Sequence, residues 1–176
     1  MTMTGLVRDA TVADAAGCAA IYAPYVTETA ISFETEPPTA AEMAERIAAA
    51  QRTHAWLVLE SGGEVAGYAY GGRLKERAAY RWSCEVSVYL ERGRRRTGGG
   101  RTLYQALLHR LTERGYQTAF AGMTLPNPAS EGLHRAMGFE PVGVYRRVGY
   151  KHGRWHDVAW TQRPLGGYDA QPAEPR

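Results

Sequence analysis

The 176-residue chain has only two cysteines, no apolar run near the roughly 20 residues a membrane-spanning helix needs, and no visible internal repeat. Cys18 and Cys84 stand far apart and in no metal-like spacing, which excludes a disulfide scaffold or a thiolate zinc site as the organising device. Both are expected to be buried thiols in a reducing compartment. The opening MTMTGLVRDAT lacks a basic start leading into an apolar core and lacks a small-residue cleavage site, so cytoplasm is the expected location, with no membrane association. A chain this long has room for one ordinary domain and buries about 70% of its unfolded surface.

What is present is a local excess of charge. The formal net charge is +3, yet Arg92, Arg94, Arg95, Arg96 and Arg101 crowd into RGRRRTGGGR beside a single acid, Glu91. That concentration favours a confined anion site over a broad basic face for nucleic acid, and no aromatic single-strand motif or recognition-helix pattern accompanies it.

The elements follow from local signals. LVRDATVADAAGCAAIYAPYV opens with a short strand, and Thr11 with Asp14 resembles a capping box that starts a helix. Thr39 and Glu42 repeat the device after Pro37 and Pro38 end an extended segment, AISFETE. HAWLVLES and EVAGYAYGGRL, joined at Gly62-Gly63, read as an antiparallel hairpin. In CEVSVYL, Cys84, Val86, Val88 and Leu90 share one face while Glu85, Ser87 and Tyr89 share the other. Leu103, Leu107 and Leu111 then recur at helical spacing up to Gly115. QTAFAGMTL reads as a strand, Asn127-Pro128 as the cap and first position of a short helix, and two last strands flank KHGRW. Residues 1–163 form the expected single domain, and 164–176 are too poor in apolar side chains to pack, so a disordered tail is expected there.

The order strand, Gly98-Gly99-Gly100, helix has a chemical consequence. A helix N-terminus leaves N–H groups without intrahelical partners and carries the positive end of the dipole, and glycines let a phosphate come close. A Walker loop and a dinucleotide fingerprint both fail, because the first needs Gly-Lys-Ser/Thr and the second wider glycine spacing and a later acid.

Arg95-Arg96-Thr97-Gly98-Gly99-Gly100 resembles the pyrophosphate-binding signature of the GNAT acetyltransferases. With YKHGRWHDVAW, TLPNPASEGLHRAMGF, SFETEPPT and RTGGGRTLYQALL, the chain looks like the phosphinothricin and methionine sulfoximine N-acetyltransferase branch, whose members are associated with antibiotic and herbicide resistance. The resemblance implies an α+β fold, a mixed but mostly antiparallel sheet of about seven strands flanked by about four helices. It also implies acetyl-coenzyme A as co-substrate, no metal, a small amino-acid acceptor and a homodimer. On this pattern Glu85 is the expected catalytic base and His134 the second catalytic group. Residues 95–100 and Arg101 take the pyrophosphate, while Ser87, Val88, Tyr89 and Asn127 hold the pantetheine arm. Phe33, Lys75, Arg77 and Tyr80 are the expected acceptor contacts. Two departures stand out: Gly99 replaces a bulky apolar residue, and Glu34 replaces an arginine that follows the phenylalanine. A polyamine or protein amine as acceptor, or a non-catalytic acetyl-coenzyme A-binding protein, remain as alternatives. His152 and His156 flank a glycine turn rather than sharing a helix face, which argues against a zinc pair.

Overall fold

The computed structural model describes residues 5–94 and 97–176; Arg95 and Arg96, two of the expected phosphate ligands, lie outside them. Four helices, α1 (Ala15–Glu28), α2 (Ala40–Thr53), α3 (Gly99–Glu113) and α4 (Pro128–Ala136), cover a seven-stranded sheet. Its strands are β1 (Leu6–Asp9), β2 (Ala55–Ser61), β3 (Glu64–Arg73), β4 (Ser83–Leu90), β5 (Thr118–Thr124), β6 (Glu140–Lys151) and β7 (Arg154–Pro164), in the spatial order β1-β2-β3-β4-β5-β7-β6. Every pairing is antiparallel except β4 with β5, which α3 joins as a crossover.

Strand alternation sorts side chains into two cores. Leu57, Leu59, Ala69, Cys84 and Val86 face α3, where Leu103, Leu107 and Leu111 are fully buried. Each of those leucines contributes roughly 1.5–3 kcal/mol by leaving water. Trp56, Val58 and Tyr68 face the other way, onto Cys18, Ile21, Tyr22, Met43 and Ile47 of α1 and α2.

The helix starts follow their local signals. Thr39 N donates to Glu42 Oε2 (2.7 Å) and Glu42 N to Thr39 Oγ1 (3.2 Å), closing the box at α2. Thr11 N donates to Asp14 Oδ2 (2.8 Å), but a turn of 3-10 helix, Val12–Asp14, precedes α1. Ser130 N donates to Asn127 Oδ1 (3.2 Å) at the start of α4.

Two segments have no regular secondary structure. The chain between α1 and α2, with the extended segment AISFETE, pairs with no strand among the described residues and runs partly in bends. Residues beyond Pro164 are held mainly by polar contacts. Arg81, stacked 3.8 Å from the centroid of Trp82, pairs with Glu174 (2.8 Å), and Trp82 Nε1 donates to Ala173 O (2.9 Å). Apolar content could not foretell such contacts.

Candidate active site

The site is built on a divergence within the sheet. β4 pairs with β3 over all but its first residue, from Arg73↔Cys84 to Gly67↔Leu90. Its parallel ladder with β5 stops after Ser83↔Thr118, Cys84↔Ala119 and Glu85↔Phe120. Beyond Glu85 the β5 side of β4 therefore has no strand partner among the described residues, and the main-chain groups of Val86–Tyr89 on that side are available to a ligand able to complete the ladder. Ser87, Val88 and Tyr89, the expected holders of the cofactor arm, lie on this stretch.

α3 begins at the same end of β4. Gly98, its cap, has φ 83°, a left-handed conformation that disfavours any side chain, and a Cβ there would meet nothing within 4 Å. The first N–H groups of α3, from Gly99 to Arg101, have no intrahelical partner and stand at the positive end of a 15-residue helix. Thr97 Oγ1 donates to Arg94 O (2.8 Å) and steadies the turn. Within the arginine cluster, Arg92 pairs with Glu28 and Arg94 with Glu91, while Arg101 is exposed. Gly99 also has a packing cause: a Cβ would stand 2.8 Å from Leu59 Cδ2, so Leu59 occupies the room that a larger side chain at 99 would take. Asn127 uses Oδ1 for its cap, and its amide nitrogen has no protein partner among the described residues.

Glu85 lies where the two strands part, half buried, on the face toward α1 and α2. Burial pushes its carboxyl pKa up, and no hydrogen bond or ion pair engages it among the described residues. A desolvated, unpartnered carboxylate binds a proton more readily than an exposed one, as a base requires. Tyr89 on the same face meets Tyr22 and Tyr25 edge-on, with centroids at 5.0 and 5.2 Å.

His134 belongs to the opposite face, 4% exposed, between α4 and α3. Its Nδ1 lies 2.7 Å from Ser130 O, so that nitrogen carries the hydrogen, and Nε2 accepts from Tyr104 Oη at 2.9 Å. Burial lowers its pKa. Both ring nitrogens are thus engaged by the protein, and the structure does not bring His134 onto the face of Glu85.

The expected acceptor residues fall into two groups. Lys75, Arg77 and Tyr80 are exposed on the β3–β4 connection, at the end of the sheet where Glu85 stands. Phe33, 40% exposed, lies on the α1–α2 connection with its ring filling the space that a Cβ on Gly149 would need. Glu34 is taken up internally: its carboxylate receives Arg46 Nη1 (2.9 Å) and Nη2 (2.6 Å) and the Tyr22 hydroxyl, and the guanidinium holds it below the usual carboxylate range.

Sequence reasoning missed Arg46, Tyr70 and Trp56. They line a cavity of about 310 Å³ between α2 and β3 on the Glu85 face, and another lining residue, Gly72, is the register partner of Glu85. The alternation in EVAGYAYGGR was the available signal for Tyr70; nothing local marked Arg46.

Both thiols are buried, with pKa values pushed up to about 12, so neither is suited to carry an acetyl group. His156 is buried with Nε2 2.9 Å from Lys151 O, and no group of three or more His, Cys, Asp or Glu converges as a metal site among the described residues.

A family model described as an acetyltransferase (GNAT) domain matches residues 7–160. The chain is 41% identical to the phosphinothricin N-acetyltransferase of Streptomyces viridochromogenes over 97% of its own length and 91% of that protein's. It is 40% identical to an L-methionine sulfoximine/L-methionine sulfone acetyltransferase of Pseudomonas paraeruginosa, covering 93% and 96% of the two chains. The crystal structure of a GNAT superfamily phosphinothricin acetyltransferase from Sinorhizobium meliloti in complex with AcCoA superposes with TM-score 0.92 at 39% identity, over 98% of this chain and 95% of that one.

Proposed function

The chain belongs to the GNAT acetyltransferase family, and on that premise we propose that it transfers acetyl from acetyl-coenzyme A to the α-amino group of a small amino acid of the phosphinothricin or methionine sulfoximine type. The observation that carries this reading is Glu85, a desolvated and unpartnered carboxylate at the mouth of a cleft whose other end is the glycine-rich start of α3. The residues present suit the co-substrate. The open edge of β4 at Ser87, Val88 and Tyr89 offers ladder hydrogen bonds to the amides of a pantetheine arm. The N–H groups after Gly98, with Arg101 beside them, suit a pyrophosphate. Asn127 has an amide free to reach the same arm.

The amine of an amino acid is mostly protonated at neutral pH, so Glu85 takes its proton directly or through a water. The freed lone pair forms the bond to the thioester carbon, and the C–S bond breaks with its electron pair on sulfur, which takes up, directly or through water, the second proton that the nitrogen sheds as it becomes an amide. An N–H near Val88 is placed to stabilise the carbonyl oxygen as it becomes negative. Direct attack in a ternary complex is favoured because neither cysteine is available as an acetyl carrier.

His134 has a secondary part. As an acid it needs an extra proton on Nε2, which burial opposes, and that nitrogen already accepts from Tyr104 Oη. Lys75, Arg77, Tyr80 and Phe33 are proposed to hold the acceptor, with Arg46 on the same side as the cation that Glu34 orients. Glu85→Gln is expected to lower kcat by about 100-fold or more while acetyl-coenzyme A affinity stays within about twofold, and His134→Asn to cost about tenfold or less. Steady-state kinetics with a cofactor titration check both. Equal losses in the two variants would reject this division of roles.

We also propose a homodimer built on the β6–β7 hairpin. β6 is an edge strand with one side unpaired, and it and the start of β7 expose Val142, Val144, Tyr145, Val148, Tyr150 and Trp155.

A further inference from the structure

Lys151, the last residue of β6, has only 7% of its surface exposed. An ammonium group has three hydrogens, and here all three are used on main-chain carbonyls: Val26 O at 2.6 Å, Ser32 O at 2.6 Å and Glu34 O at 2.8 Å. Val26 lies in the last turn of α1, where carbonyls lack intrahelical partners and the dipole is negative. Ser32 and Glu34 flank Phe33. One side chain from the hairpin therefore ties the end of α1 and both neighbours of Phe33 to a single point.

The surroundings reinforce that geometry. Gly149, two residues before Lys151, gives up its side-chain space to the Phe33 ring, and the His156 ring centroid lies 6.2 Å from it. Tyr22 Oη bonds Ser32 Oγ at 2.7 Å, and Glu34 in turn fixes Arg46 at the rim of the cavity beside Gly72. The segment between α1 and α2 has no ladder or helix of its own, so its shape is set by these contacts. Burying an ammonium is costly unless its hydrogen bonds are replaced, and the proton transfers assigned to Glu85 give this one no part.

We infer that Lys151 is a positioning residue for the amino-acid acceptor, holding Phe33 and, through Glu34, Arg46 on the face of Glu85. The inference rests on the proposed reaction for its substrate and on the three carbonyl contacts for its mechanism.

The test is Lys151→Met, with Lys151→Gln, which keeps two N–H donors, as the graded and better tolerated partner. Thermal unfolding identifies the folded variants. The expected result is an acceptor KM raised about tenfold or more in Met and less in Gln, with kcat within about threefold and acetyl-coenzyme A affinity within about twofold. Chymotrypsin cleavage after Phe33 should also accelerate in the same order. An unchanged acceptor KM in a folded variant, or a parallel fall in cofactor affinity, overturns the inference. If the unsubstituted protein acetylates no amino acid, the proposed reaction has failed instead, and the cleavage rates still report whether Lys151 holds the loop.

Discussion

Glu85 carries a charge where the surroundings disfavour it, and that has a sign that can be checked in two ways. Because burial raises its folded pKa, kcat/KM should rise with pH through a midpoint above the ordinary glutamate value of about 4.3, and Glu85→Gln should lack that limb. A carboxyl whose folded pKa is raised contributes stability present below the unfolded pKa and lost as pH rises through the folded one. Glu85→Gln should therefore melt higher than the parent at pH 7, with the difference shrinking toward pH 4. Thermal unfolding at the two pH values reads this directly, and equal differences at both would contradict the desolvated carboxylate. The face on which Glu85 stands was legible from the alternation of CEVSVYL. The satisfaction of both His134 nitrogens was not, because Tyr104 is 30 residues away in sequence. Nor could the pairing of Glu34 with Arg46 be read, since it joins a loop to the middle of α2 across 12 residues.

At the scale of elements, what was legible is what is local. The caps at Thr39 and Asn127, the leucine stripe of α3 and the turn at Gly98 each depend on a few adjacent residues. The parting of β4 from β5 after Glu85 depends on register between strands that α3 separates, and no stretch of sequence contains it. The start of α3 is the element on which cofactor binding turns. Gly98→Asp places a side chain at φ 83° and a carboxylate at the mouth of the helix N-terminus. Saturable binding of acetyl-coenzyme A by calorimetry should be lost in a variant that remains folded, whereas unchanged affinity would remove the pyrophosphate from this turn.

At the scale of the molecule, the order of elements was readable, while the contacts of the segment after Pro164 were not, because Arg81 and Trp82 meet it from 93 and 91 residues away and Leu165 alone packs on the core. The exposed face of β6 likewise has meaning only once the sheet order puts that strand at an edge. Light scattering should give about twice the 19.4 kDa chain mass, and a concentration-independent value equal to one chain would exclude the dimer. The identity of the acceptor decides the rest. A thiol-release assay with acetyl-coenzyme A across phosphinothricin, methionine sulfoximine, methionine sulfone, ordinary amino acids, polyamines and a lysine peptide tests it most directly. The highest kcat/KM is expected for phosphinothricin or methionine sulfoximine. A higher value for a polyamine or the lysine peptide, or no release with any amine by a protein that binds the cofactor, would contradict it.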